Sequence, residues 1–180
     1  RAVAQFEKRL TDWADPAAVV AALAGAAALA VQRPRVGAFG VRDKTAAVDV
    51  SWYETDPAGL WNATYTTPAD LAAWLSTERE RLDGPVLAAP PPVRALFSAA
   101  IGPTSHGSPW LLPIVHLGKI AGGIAYLSET DERARLAEEV DELRPFLSSL
   151  GLALGRANAQ AAAQRLSEDL AETNRRLQQV

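Results

Sequence analysis

Histidine is the side chain that most readily moves a proton or offers a neutral nitrogen to a metal near neutral pH, and this chain has two, His106 and His116. His116 alternates with Leu112 and Ile114 in the run from Trp110 to Leu117, which aims it at one face of a sheet and, on this reading, toward a pocket. A single imidazole is able to ligate a haem iron. Without a cysteine or an acidic cluster beside it, a lone strand histidine reads better as a hydrogen-bonded structural residue, and a haem is disfavoured. His106 stands in the loop Thr104-Ser105-His106-Gly107-Ser108, where it reads as a solvent or pocket-rim residue. Ser105 and Ser108 beside it raise a Ser/His hydrolase as an alternative. The strained G-x-S-x-G turn is missing, however, and sequence neighbours seldom align as a catalytic pair. Gly118 to Gly123 (GKIAGG) opens no helix, so it reads as a hairpin and not as a phosphate cradle. The chain has no cysteine, which excludes disulfides, thiolate metal sites and thiol nucleophiles. No metal site and no catalytic residue is expected.

Binding has better support. Trp52, Trp61, Tyr65, Trp74, Phe97 and Trp110 fall in one stretch that holds every tryptophan except Trp13. Such residues could line an apolar pocket with polar tips; the competing reading is that they fill a second, smaller core. With His106 and His116 they form the candidate pocket, expected between a sheet and residues 55–109. Its lining is expected to be mainly apolar, with Asp and Glu sparse at the inward-facing positions, which favours a small neutral or aromatic ligand over a nucleotide, since a nucleotide would want basic partners.

The bulk numbers narrow the classes. The chain has 180 residues, 48% hydrophobic and 22% charged, with a net charge of −3 and a pI near 5.4. No basic field exists to gather nucleic acid or anionic lipid. The absence of methionine and the start at Arg1 read as a piece of a longer protein. Ala17–Val31 is an unbroken apolar run, but it is shorter than the ~20 residues a span requires and mostly alanine. Acids precede it and arginines follow, the reverse of a signal peptide. It reads as a buried helix of a cytoplasmic protein, with no membrane contact.

The elements that must position these residues follow from periodicity. Phe6, Leu10 and Trp13 predict a first helix over 2–14. Asp15 as N-cap and Pro16 at the first turn restart the helix to about Gln32. Arg35–Arg42 and Thr45–Glu54 read as an antiparallel hairpin turning at Asp43-Lys44. The middle, Thr55 to Pro109, reads as helices and loops: one helix over 68–82 and a short one over 93–101. Trp110–Leu117 and Ile120–Leu127 form a second hairpin about Gly118-Lys119. From Leu143 the chain is helical to its end, with Pro145 tolerated or marking a kink. Two seams run along that helix. Leu143, Leu147, Leu150, Leu154, Ala157 and Ala161 suit packing on a domain. Ala163, Leu166, Leu170, Thr173, Leu177 and Val180, slipped in phase by two residues, have the thin heptad spacing of a coiled coil. A homodimer through the N- and C-terminal helices is the expected partner.

The segment SPWLLPIVHLGKIAGGIAYLSE, with its I-x-G-G-I-A-x-L strand, and the helix RPFLSSLGLALGRAN with Arg156-Ala157 resemble the closing hairpin and final helix of GAF domains. The tail AQRLSEDLAETNRRLQQV is similar to signalling helices that join GAF or PAS sensors to histidine kinases. The resemblance implies an α+β sandwich: a central antiparallel sheet of about five to six strands, N- and C-terminal helices on one face, and a variable helical and loop region on the other. A PAS domain is the runner-up, disfavoured by the two leading helices and the apolar closing helix. The organisation implied is an N-terminal helix or linker over 1–15, a sensory domain over 16–158 and a coiled-coil signalling helix over 159–180. The bilin-attachment cysteine of some members is missing, and so is the Asn-Lys-x-Phe-Asp-Glu pattern of cyclic-nucleotide binders, so no cofactor is assigned. The role implied is a regulatory sensory and dimerisation domain of a bacterial signal-transduction protein, a sensor histidine kinase, whose catalysis would lie outside this chain. The alternative is a structural dimerisation domain that binds nothing.

Overall fold

The computed structural model describes residues 15–31, 35–42, 47–55, 58–77, 87–101, 108–128 and 133–180. The expected helix over 2–14, the Asp43-Lys44 turn and His106 lie outside these. The elements are α1 (Pro16–Val31), β1 (Arg35–Arg42), β2 (Ala47–Thr55), β3 (Ala58–Thr66), α2 (Ala69–Thr77), β4 (Leu87–Ala88), α3 (Pro91–Leu96), α4 (Ser98–Ile101), β5 (Ser108–His116), β6 (Lys119–Ser128) and α5 (Arg133–Gln178). The strands form one six-stranded sheet in the order β3-β2-β1-β6-β5-β4, antiparallel at every pairing.

The helix expected to begin at Asp15-Pro16 does so. The Ala17 amide donates to the Asp15 carboxylate at 3.2 Å, satisfying one of the open donors of a first turn. Val19, Val20, Leu23, Ala24, Ala27 and Ala28 of α1 are buried against β1, β2 and α5. No described helix is long and apolar enough to cross a membrane.

Strand alternation divides the interior into two cores. Val36 and Ala38 of β1, Leu112 and Ile114 of β5 and Ile124 of β6 face α1 and α5, where Leu150, Leu154 and Ala157 close the layer. Phe39, Val48, Val50, Trp52, Leu111 and Ala125 face the other way, onto Leu71, Val93, Leu96 and Phe97 of α2 and α3 and the turn that follows. Two apolar layers on opposite faces of one sheet, one aliphatic and one holding Phe39, Trp52 and Phe97, are thus made by residues adjacent in sequence.

Three local features depart from the sequence reading. The middle is not only helix and loop: residues 58–66 form β3, paired along its whole length with β2. The helix expected over 68–82 is described over Ala69–Thr77, and the short one over 93–101 is two helices, α3 and α4. The second hairpin turns one residue earlier than expected. Leu117 and Gly118 both have positive φ, 51° and 71°, as a two-residue type I′ turn demands. Leu117 is 88% exposed, so its side chain gains nothing for the left-handed backbone it adopts. Leu117→Asn should therefore raise stability by about 1 kcal/mol, read as a higher urea midpoint with an unchanged slope. An equal or lower midpoint would contradict the turn geometry.

Helix α5 is one helix of 46 residues that continues through Pro145. Gly151 and Gly155 let it lie close to β5: a Cβ at Gly151 would stand 2.7 Å from the Val115 carbonyl oxygen, and one at Gly155 would stand 2.5 Å from His116 Nε2. The Asn158 amide donates to the Val41 carbonyl at 2.9 Å, tying the helix to the end of β1. From Ala159 onward no side chain is buried.

Candidate ligand cleft

The cross-strand register places Trp52 opposite Trp61, and Glu54 opposite Gly59. Residues directly opposite share a face of the sheet, so both indoles and the carboxylate point to the side of α2, α3 and α4. Trp52 is buried and tilts against Phe97, with ring centroids 5.6 Å apart and planes at 52°, an arrangement aromatic pairs prefer. Gly37 makes room for the pair: a Cβ there would stand 2.6 Å from Phe97 and 2.7 Å from Trp52.

Above this pair lies an open cavity of about 330 Å³, lined by Trp52, Glu54, Gly59, Leu60, Trp61, Ala99 and Ala100. The Trp52 indole N–H donates to Glu54 Oε1 at 3.1 Å, and Arg35 Nε stands 3.8 Å from the same oxygen. The cavity therefore carries one carboxylate at its rim, and its wall mixes apolar with polar surface.

The proposed pocket residues separate into three groups. Trp52 and Trp61 line this cleft. Phe97 is buried in the core beneath it, and Tyr65 and Trp74 pack on that same core. Trp110 and His116 are a correction. They share the parity of Leu112 and Ile114, which bury against α1 and α5; Trp110 packs on that core and His116 lies against Gly155 of α5. Both are on the face away from the cleft. Glu54 was missed by sequence reasoning, although its position two residues after Trp52 in a strand was enough to place it on the same face.

A second polar cluster, buried at Asp49 and Ser51 and open to solvent at Asn62 and Thr64, lies on the α1 face. Asp49 accepts two 2.7 Å hydrogen bonds from Arg42, through Nε and Nη2, and a third from the Thr64 hydroxyl at 2.7 Å. These hydrogen bonds with Asp49 are the main reason that the Arg42 guanidinium is held above its ordinary pKa. Ser51 donates to Asn62 Oδ1 at 2.6 Å. Each group is matched by a partner, as buried polar atoms require, and the cluster reads as structural. Among the described residues no three His, Cys, Asp or Glu side chains gather as a metal site.

No protein-family model and no curated protein sequence matches the chain. Solved structures do. A methyl-accepting chemotaxis protein fragment, residues 122 to 287, superposes with a TM-score of 0.57 at 17% identity, over 88% of this chain and 98% of that one. The A. aeolicus Nlh2 GAF domain in an inactive state gives 0.50 at 13% identity, over 86% and 93%. The bacteriophytochrome RpBphP3 of R. palustris gives 0.50 at 12% identity, over 97% of this chain and 41% of its own length. The fold is that of GAF domains: an antiparallel sheet between a helical layer and a variable middle, closed by a long C-terminal helix.

Proposed function

We propose that this chain is a regulatory sensory and dimerisation module of a bacterial signal-transduction protein, a sensor histidine kinase, acting in the cytoplasm without catalysis of its own. The observation that carries this reading is the two-part character of α5. Its first half supplies Leu150, Leu154 and Ala157 to the domain core, and its second half stands clear with Leu166, Leu170, Leu177 and Val180 exposed. Exposed leucines at heptad spacing on an otherwise charged helix are the signature of a coiled-coil seam. The likeness to a chemotaxis-receptor fragment and a GAF domain in fold supports a signalling role. The outer side of α1 adds to it: Ala18 and Ala21 are only half-buried and Leu29 is 70% exposed. A helix apolar all round is one that is covered all round, here by the corresponding helices of a second copy. Ligand occupancy of the cleft over Trp52 would bias the packing of these helices, and the stalk would carry the difference onward, since two coiled-coil packings differ by only a few kcal/mol.

The test uses the chain's lack of cysteine. Thr173→Cys, in the seam, should form disulfide-linked dimers under mild oxidation, whereas Glu168→Cys, on the outer side of the same helix, should not. Equal crosslinking at the two positions, or none at either, would reject the parallel stalk.

A further inference from the structure

We infer that the cleft at Trp52 and Trp61 takes a small organic cation, a quaternary or methylated ammonium on a compact apolar body. This rests on reading the cleft as the module's sensory site and names the class of ligand. Of the seven lining residues, Glu54 alone ionises; the rest are two tryptophans, a leucine, two alanines and a glycine. An anion would meet the carboxylate with no lining cation to offset it. A neutral ligand without a hydrogen-bond donor would strip water from Glu54 and return nothing. A cation satisfies the carboxylate, and tryptophan is the lining side chain that a cation favours most.

The softness of the cation follows from the walls. A primary ammonium is compact and strongly hydrated, and the side chains of Trp52, Trp61, Ala99 and Ala100 offer it no acceptor. Methylated nitrogen spreads its charge over an apolar surface and suits such walls. Arg35 is a weak competitor for Glu54: the pair is 3.8 Å apart, and the arginine side chain is 48% exposed, where such contacts contribute little. The carboxylate is held from the other side by the Trp52 N–H and retains acceptor capacity, having about four lone-pair sites. Gly59, directly opposite Glu54, places no side chain across the cleft. The volume of about 330 Å³ falls at the small end of ligand sites.

Choline and its uncharged isostere 3,3-dimethyl-1-butanol separate charge from shape. Titrated into the intact chain and followed by calorimetry and tryptophan fluorescence, choline should bind at least about tenfold more tightly than the isostere. Glu54→Gln should weaken choline by about tenfold and leave the isostere unchanged. Gly59→Val, a strand-compatible change at an exposed position, should block both probes while the circular dichroism melt stays in place. If the isostere binds as well as choline, or Glu54→Gln changes neither, the cation assignment is overturned and the cleft stands as a site for neutral ligands. If neither probe binds, the cation assignment is also overturned. The Thr173→Cys crosslink then reports separately whether the module is a dimeric relay.

Discussion

Gly122→Ala should melt roughly 10 °C below the parent chain, while Gly25→Ala should melt slightly above it. A methyl group at Gly122 would stand 2.1 Å from the Phe39 carbonyl oxygen and 3.1 Å from Gly40 Cα. Both are main-chain atoms of β1, so no rotamer change relieves the overlap. The close approach lies beside a shift in the β5–β6 register at Ile114/Val115, with Ile114 opposite Gly122 and Val115 opposite Ile120, leaving Ala121 as an extra residue on β6. Relief requires β1 and β6 to part, at the centre of the sheet where α1 and α5 both press on Gly40 through Val20 and Leu154. A loss of about 3 kcal/mol or more is expected, and a domain of this size loses roughly 2–4 °C per kcal/mol. Gly25 has nothing within 4 Å of its added Cβ, so alanine there gains about 0.5–1 kcal/mol from helix propensity and a less free unfolded chain. Melts by circular dichroism decide; equal midpoints for the two variants would contradict the packing at Gly122.

Leu170→Lys combined with Leu177→Lys should halve the solution mass, from a dimer to a single chain of 19.1 kDa. The two leucines are 58% and 69% exposed within one chain, so they touch nothing that the domain needs for folding. In a paired stalk each would become a knob in the facing helix, and lysines there would bury like charges one heptad apart. The domain's own melt should be little changed in chemical denaturation at low protein concentration. Sedimentation equilibrium separates the outcomes: an unchanged mass in the double variant, or a monomeric parent, rejects the seam.

The parts of the fold that could be read from the sequence were those whose signals are local. Asp15-Pro16 starts α1, the apolar run fixes its burial, and the Arg35–Arg42 alternation yields β1 and its two faces. Strand β3 was hidden because one of its faces is solvent-facing and polar, with Asn62, Thr64 and Thr66 exposed. Its inward Trp61 and Tyr65 read, from sequence alone, as pocket lining and not as one face of a strand. The turn at Leu117 was hidden because leucine is a poor left-handed residue, so Gly118-Lys119 looked better. Trp110 and His116 were legible as partners of Leu112 and Ile114. Which layer covers that face is decided by chain topology, and the strand's own residues do not carry it. The Gly122-Gly123 pair that prompted the family resemblance has a packing cause on each side. Gly122 yields to the β1 main chain, and Gly123 leaves room for the Phe39 ring and Leu111. Neither demand shows in the periodicity of β6.

Among the described residues the hydrogen bond from Asn158 to Val41 is the last between α5 and the sheet in chain order, and it turns the rest of the helix into a lever. The 20 residues from there to Gln178 span about 30 Å at 1.5 Å per residue. A tilt of about 5° at the tie therefore carries the far end sideways by roughly 2.6 Å, more than the rise of one helical residue. Gly151 and Gly155, seated on the Val115 carbonyl and the His116 ring, form the fulcrum. A change of a few tenths of an ångström in how closely they sit is multiplied along the rod, so the domain need deform very little for its tip to travel.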